Sequence, residues 1–114
     1  MMDESRYQKL ADVVLREIEN LLEHVDAEVV DVERAGDVLT LTFASGKKAV
    51  VNTQRPTRQI WLAANARAWH FSYQEPEGVI PGRWMDDKGQ GVELVEQVTA
   101  IIKDLGGVDV TVKF

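Results

Sequence analysis

The sequence predicts an α+β fold, a two-layer sandwich in which two helices pack on one face of an antiparallel sheet of five or six strands. Two amphipathic helical patterns, one near each end of the chain, supply the helical layer. Between them, short segments alternate apolar and polar residues, as strands with one buried face do. Turn signals join neighbouring segments, which favours a meander of hairpins. At 114 residues, the chain is expected to form one domain over 1–114.

The first helix is predicted over Ser5–Val25. Its apolar residues recur at three- and four-residue spacing, the pattern of a stripe that faces a core. This predicted stripe comprises Leu10, Val14, Ile18, Leu21, Leu22 and Val25. On the opposite face, Asp12, Glu19 and Glu23 fall within roughly 40° of one another, because each residue advances the helix by about 100°. Like charges at this spacing weaken a helix slightly, which favours a binding role for them.

The alternation predicts five strands and a short sixth after this helix. They are, in order, Val29–Glu33, Val38–Phe43, Lys47–Thr53, Gln59–Leu62, Ala68–Tyr73 and Arg83–Asp86. Pro56 separates the third strand from the fourth, since proline has no backbone N–H to donate to a sheet. The proline and glycine residues of Gln74–Gly82 indicate a loop. Because the first strand directly follows the helix, it is expected at an edge of the sheet.

The second helix follows a turn at Asp87–Gly89 and ends at Gly106 and Gly107. Its predicted buried stripe comprises Leu94, Val95, Val98, Ile101, Ile102 and Leu105. The remaining segment, Val108–Phe114, alternates apolar and polar residues to its last position. It is apolar enough that we expect it to be bound to the rest of the domain.

Trp61 is the candidate for a docking residue. Period two sends Ile60 and Leu62 to one face of their strand, and Gln59 with Trp61 to the other. If the two aliphatic residues face the core, a large aromatic side chain stands on the outer face, as in a binding surface. The alternative is that this face is also covered and that Trp61 belongs to the core. His70 is expected on the same outer face, in a structural role.

The negative charge is concentrated at one end of the chain. Residues 1–33 contain ten carboxylates and three basic side chains, a net charge of −7, whereas the other residues sum to +1. In the first strand, Asp31 and Glu33 share a face, so the acids of helix and strand can merge into one ridge. The alternative is a solvated surface, because charges on an edge strand also discourage edge-to-edge pairing.

Several functional classes are disfavoured by composition. A net charge of −6 argues against nucleic-acid binding, which requires a basic face. The chain has no cysteine, no glycine-rich phosphate loop and only His24 and His70 as imidazoles. Oxygen donors in this number favour hard cations such as iron, manganese, calcium or magnesium. No segment resembles a membrane span or signal peptide, and we expect a cytoplasmic protein.

The central stretch resembles the signature of the frataxin family. It reads Asn52-x-Gln54-x-Pro56-x-x-Gln59-Ile60-Trp61-Leu62-Ala63. Supporting similarity comes from Leu10–Asp12, Val38–Phe43 and Trp69–Phe71, in the same order along the chain. The similarity extends over nearly the full length and is greatest to the bacterial frataxin (CyaY) branch. The loop from Gln74 to Arg83 is longer and richer in proline than the family pattern.

The resemblance implies a protein of iron–sulfur cluster assembly that binds Fe²⁺ or Fe³⁺ weakly. It further implies that an acidic ridge meets the cysteine desulfurase, whose output the protein modulates, together with the assembly scaffold. Carried over by position, the acidic ridge comprises Asp12, Glu19, Glu23, Asp26, Glu28, Asp31 and Glu33. The outer sheet face, with Asn52, Gln54, Gln59 and Trp61, is assigned to partner binding. The resemblance also implies that the tail packs between the two helices.

Three positions depart from the family pattern and are expected to reduce iron affinity or stoichiometry. Gln8 replaces a histidine, His24 replaces an acid, and Val29–Val30 occupies a segment that is often more acidic. Three functions remain open: a non-catalytic iron-binding regulator, a ferroxidase or iron store, and an adaptor with an incidental acidic face. We expect the regulator, not an enzyme, and a monomer, with iron-induced oligomers as the alternative.

Overall fold

The computed structural model describes residues 2–110 and contains two α-helices and six strands. The elements are α1 Glu4–Leu21, β1 Val30–Ala35, β2 Val38–Phe43, β3 Lys48–Gln54, β4 Gln59–Ala64, β5 Arg67–Gln74, β6 Arg83–Asp86 and α2 Leu94–Gly106. A short 3₁₀ turn, Arg55–Thr57, links β3 to β4. The six strands form one antiparallel sheet in the order β1-β2-β3-β4-β5-β6. Two helices on an antiparallel open sheet confirm the predicted fold class.

The core lies between the helices and one face of the sheet. Its fully buried side chains include Tyr7, Leu15, Ile18, Leu39, Leu41, Ile60, Leu62, Phe71, Leu94 and Ile102. In each central strand, the residues that alternate with these are half-buried or exposed. A strand sends successive side chains to opposite faces, so the second face of the sheet is left open.

The first helix is shorter than predicted and its buried stripe lies partly on different residues. It ends at Leu21, where Leu22 turns its N–H back to the carbonyl of Glu19 at 3.1 Å. Tyr7, Ala11 and Leu15 are buried, whereas Leu10, Leu21 and Val25 are half-buried. The buried stripe comprises Tyr7, Ala11, Val14, Leu15, Ile18 and Leu22. It includes the aromatic Tyr7 and the small Ala11 because both pack against the sheet.

The first strand is shifted towards the C-terminus relative to the prediction. It begins at Val30 rather than Val29 and continues past Glu33 to Ala35, paired throughout with β2. The extension adds Arg34 to the strand, on the side that faces α1. β1 has one neighbouring strand and lies at the sheet edge, as expected.

The loop between β5 and β6 contains a small hairpin of its own. Glu77 and Ile80 exchange both backbone hydrogen bonds, each 2.9 Å long, around Gly78 with φ +58°. This turn leaves Val79 fully exposed. An ion pair between Arg6 of α1 and Glu75 fixes the base of the loop.

The predicted binding of the tail is confirmed as far as Val110, which is buried, with Val108 half-buried against the core. The rest of the alternating tail, including Val112 and Phe114, lies outside the described residues. Within 2–110, the helices are too short or too polar to cross a membrane.

Candidate functional site

The register of the sheet gathers the predicted partner-binding residues on its open face. Asn52 pairs with Trp61, and Trp61 pairs with His70, which makes one cross-strand row. Gln54 and Gln59 pair in the neighbouring row. Directly paired residues of antiparallel strands project to the same face. The prediction that Trp61 and His70 share the outer face is therefore confirmed.

Trp61 is held in place rather than being free in solvent. Its ring stacks on the imidazole of His70, with centroids 4.2 Å apart and planes 17° from parallel. Its indole N–H donates to Gln59 Oε1 at 3.0 Å. The side chain is half-buried, whereas its neighbours Ile60 and Leu62 are fully buried on the opposite face. The alternative of a core tryptophan is wrong, and the indole forms part of a surface with a fixed geometry.

Asp87 completes this surface and is not singled out by any local sequence pattern. Gln59 Nε2 donates to Asp87 Oδ2 and to Ser72 Oγ, both at 3.2 Å. The same Asp87 oxygen lies 3.7 Å from His70 Nδ1. The sequence places Asp87 in a turn directly after β6, and its backbone N–H donates to the His70 carbonyl of β5 at 2.9 Å. We define the open-face cluster as Asn52, Gln54, Gln59, Trp61, His70, Ser72 and Asp87.

The loop that carries Asp87 is built around the carboxylate of Asp86. That carboxylate accepts backbone N–H groups from Lys88, Gln90 and Val92 at 3.0, 3.1 and 2.8 Å. These donors stabilise the charged form and lower the pKa of Asp86, with the Gln90 and Val92 amides as the largest causes. The position of Asp87 therefore rests on a well-organised turn.

The acidic ridge includes two carboxylates that are held by an internal cation. Arg34 Nη2 contacts Asp12 Oδ1 at 2.9 Å, and Arg34 Nη1 contacts Glu19 Oε1 at 3.2 Å. Gln8 Nε2 also donates to Asp12 Oδ1 at 3.3 Å. Arg34 was not among the candidate residues, because it falls one position beyond the predicted first strand.

The connection between α1 and β1 carries three more acids of the ridge. Glu23, Asp26 and Glu28 are exposed. Asp26 Oδ1 accepts the backbone N–H of Glu28 at 2.9 Å, and its carbonyl accepts the N–H groups of Val29 and Val30. Asp26 thus shapes the turn, while Glu23 and Glu28 point freely to solvent.

Asp31 and Glu33 lie on the other side of the edge strand. Val30, Val32 and Arg34 alternate with them and are the more buried set, on the face that α1 covers. The two acids therefore project towards the open face, where Asp31 pairs with Thr42 and Thr42 with Lys48. The acidic ridge wraps around β1, with Asp12 and Glu19 on one side and Asp31 and Glu33 on the other.

The donor set suits hard cations but does not form a cage. Across residues 2–110, no three His, Asp or Glu side chains converge closely enough to hold an ion together. The ridge offers exposed carboxylate oxygens, the ligand type that hard cations prefer. An ion bound there would keep much of its water, and binding of this kind is weak and shared among sites.

Comparison with known proteins agrees with the fold. A family model described as a frataxin-like domain matches residues 1–107. The chain therefore belongs to the frataxin family, in its bacterial CyaY branch. It is 38% identical over 92 residues to the iron-sulfur cluster assembly protein CyaY of Pseudoalteromonas atlantica, covering 81% of this chain and 78% of that protein. It is 35% identical over 113 residues to the CyaY of Ralstonia nicotianae, covering 96% and 94%.

Two solved structures show the same architecture. The frataxin of Psychromonas ingrahamii superposes with a TM-score of 0.85 at 30% identity, covering 99% of this chain and all of that one. The trimeric frataxin of the yeast Saccharomyces cerevisiae, complexed with ferrous iron, has a TM-score of 0.66 at 24% identity, covering 95% and 89%. At that identity, the yeast protein supports the fold alone.

Proposed function

We propose that this protein is a non-catalytic regulator of iron–sulfur cluster assembly that acts in the cytoplasm as a monomer. In this role it binds iron weakly through the acidic ridge and docks the cysteine desulfurase and its scaffold through the ridge and the open-face cluster. The observation that carries the proposal is Trp61, an aromatic side chain fixed on an uncovered sheet face. The names of the CyaY relatives support the pathway.

The open-face cluster has the features of a binding hot spot. Aromatic residues in a fixed geometry contribute strongly to interfaces, because few rotamers are lost on binding. Trp61 is flanked by amide side chains of Asn52, Gln54 and Gln59, which can donate or accept hydrogen bonds at its rim. We assign this cluster to the contact with the assembly machinery.

The acidic ridge contributes charge. Exposed carboxylates attract a basic partner over several ångströms and mainly raise the association rate. They also hold a hard cation such as iron, here a cargo rather than a resident cofactor. Both contributions weaken at high ionic strength, since the Debye length is about 8 Å at physiological salt.

The proposal is tested by binding of the purified protein to purified desulfurase, alone and with the scaffold. Trp61→Ala should weaken binding by about 2 kcal/mol or more, as for an aromatic hot spot. Its stability should fall by only about 1 kcal/mol, well below the roughly 3–5 kcal/mol of a buried aromatic truncation. Undiminished binding by this variant would refute the assignment of the open face.

The ridge is tested with Glu23→Gln, Glu28→Gln and Asp31→Asn combined. This variant should associate more slowly and lose its salt dependence. A matched control neutralises Glu77, Glu96 and Asp104, which carry the same charge elsewhere on the surface. If the two triple variants had equal effects, the acidic ridge would act only as part of the general surface charge. Catalytic oxygen consumption on addition of Fe²⁺ would instead favour the ferroxidase alternative.

A further inference from the structure

Arg34 lies inside the acidic ridge, between two of its carboxylates. Its guanidinium contacts Asp12 at 2.9 Å and Glu19 at 3.2 Å, two residues that are two turns apart on α1. The Arg34 side chain is 25% exposed, against 45% for Asp12 and 35% for Glu19. The acids of the α1–β1 connection, by contrast, are exposed.

The chemistry of arginine keeps a positive charge at this contact at physiological pH. A guanidinium stays protonated, and its planar fork can serve two carboxylates at once. The three side chains together carry a charge of −1, where the two acids alone would carry −2. A divalent cation that approached Asp12 or Glu19 would therefore meet half the attractive charge and a fixed positive group at contact distance.

We propose that Arg34 is a built-in counter-cation that keeps Asp12 and Glu19 out of cation binding by the ridge. Binding is then confined to the other five acids of the ridge, which are Glu23, Asp26, Glu28, Asp31 and Glu33. The inference deepens the proposed function, on which it rests, by naming the residue that limits how much cation the ridge takes up. Arg34 contacts the carboxylates and not the cargo, so it acts as a regulating residue.

The test is the calcium affinity of the full chain with Arg34→Gln, measured by calorimetry in low salt. Calcium is the probe because it shares the oxygen ligands of iron without redox chemistry. Removing the guanidinium should tighten calcium binding about tenfold, or add one equivalent, as expected from removal of a positive charge at contact distance. The gain should vanish when Asp12→Asn and Glu19→Gln are added to Arg34→Gln.

Two further variants separate this effect from net charge and from folding. Arg83→Gln removes the same charge from the opposite edge strand and should leave calcium binding unchanged. Arg34→Lys places a point charge that cannot serve both carboxylates as a fork does, so its gain should be smaller than that of Arg34→Gln. Arg34→Gln should melt lower than the parent without calcium and recover more of its melting temperature with it.

Equal calcium affinity and stoichiometry in the parent and Arg34→Gln would overturn the inference. A gain that persists without Asp12 and Glu19, or that Arg83→Gln reproduces, would do the same. Failure of the proposed function has a different signature, namely a parent that binds neither calcium nor Fe²⁺ and does not bind the desulfurase. In that case a gain of calcium binding in Arg34→Gln would still support the counter-cation.

Discussion

At the scale of single residues, the tip of the β4–β5 hairpin contains strained backbone. Asn65 and Ala66 both have positive φ, 51° and 63°. Two-residue hairpin turns of this form favour Asn followed by glycine, because a side chain in the left-handed region costs roughly 1–2 kcal/mol. Asparagine suits its place, whereas alanine does not.

Replacing Ala66 with glycine should therefore stabilise the protein. Part of the relief is offset by the larger entropy of glycine in the unfolded chain, so the net gain is expected at about 0.5–1 kcal/mol. Chemical denaturation measures it. Ala68→Gly is the control, because position 68 lies within β5 and should lose stability on the same change. A destabilised Ala66→Gly would show that the turn relaxes without strain.

Two carboxylates outside the acidic ridge, Glu17 and Glu75, have shifted pKa values. Glu17 has its pKa raised, first by partial burial and second by the nearby carboxylate of Glu93. Glu75 has its pKa lowered by the ion pair with Arg6. Both acids stand outside the ridge, so a perturbed carboxylate is not in itself a sign of the binding surface in this protein.

Among the elements, α1 fixes the connection between the two strands that carry the open-face cluster. The hydroxyl of Tyr7, a fully buried residue, accepts the N–H of Gln54 at 3.0 Å and donates to the carbonyl of Gln59 at 2.5 Å. These two backbone groups bracket the 3₁₀ turn Arg55–Thr57. The Tyr7 hydroxyl thus supplies a hydrogen-bond partner to both the Gln54 N–H and the Gln59 carbonyl.

Tyr7→Phe should cost about 1–3 kcal/mol, because it leaves two partly buried backbone groups without partners. Amide hydrogen exchange should also accelerate between Gln54 and Gln59 more than in the rest of the sheet. Tyr73→Phe is the matched control, since the described residues provide no hydrogen bond to that hydroxyl. If Tyr7→Phe unfolded at the same denaturant concentration as the parent, water would be replacing the hydroxyl.

The β6–α2 turn gives the domain a dependence on acid pH. Because N–H donors lower the pKa of Asp86 in the folded state, its carboxylate stabilises the fold above the ordinary aspartate pKa of about 4. This contribution is lost as the pH falls through the lower folded value. Asp86→Asn should therefore melt lower than the parent at neutral pH, with a difference that shrinks below about pH 4.

Melting curves between neutral and acid pH measure this effect. Asp104→Asn, an exposed change on α2, should leave the shape of the pH curve as in the parent. A constant gap between Asp86→Asn and the parent at every pH would mean that geometry, not charge, holds the turn.

Local sequence patterns predict some features of these elements and miss others. Period two placed Ile60 and Leu62 in the core and Trp61 outside, because burial in a sheet follows alternation directly. Arg34 and Asp87 could not be found in this way. Arg34 depends on where β1 ends. Asp87 depends on side-chain contacts with Gln59 and His70 that no local pattern shows. The predicted α1 stripe omitted Tyr7, Ala11 and Leu15, which are buried in the structure. It included Leu10 and Val25, which are only half-buried.

For the molecule as a whole, charge is distributed unevenly, and the structure identifies which acids are available. Asp12 and Glu19 are paired with Arg34, and Asp26 shapes a turn. Glu23, Asp26, Glu28, Asp31 and Glu33 remain exposed. Repulsion among them favours the unfolded chain, in which they spread apart, and a cation that binds only the folded form should oppose this.

Calcium or magnesium at millimolar concentration should therefore raise the melting temperature, and iron should do so at lower concentration. A cation present at ten times its Kd adds about 1.4 kcal/mol of stability.

The variant with Glu23→Gln, Glu28→Gln and Asp31→Asn should melt higher than the parent in low salt and gain less from each cation, since it has both less repulsion and fewer ligands. Sodium chloride should close part of the gap by screening. Neutralising Glu77, Glu96 and Asp104 instead should leave the cation response intact. Absence of any cation-dependent shift in the parent would leave the acidic ridge as a solvated surface without a metal role.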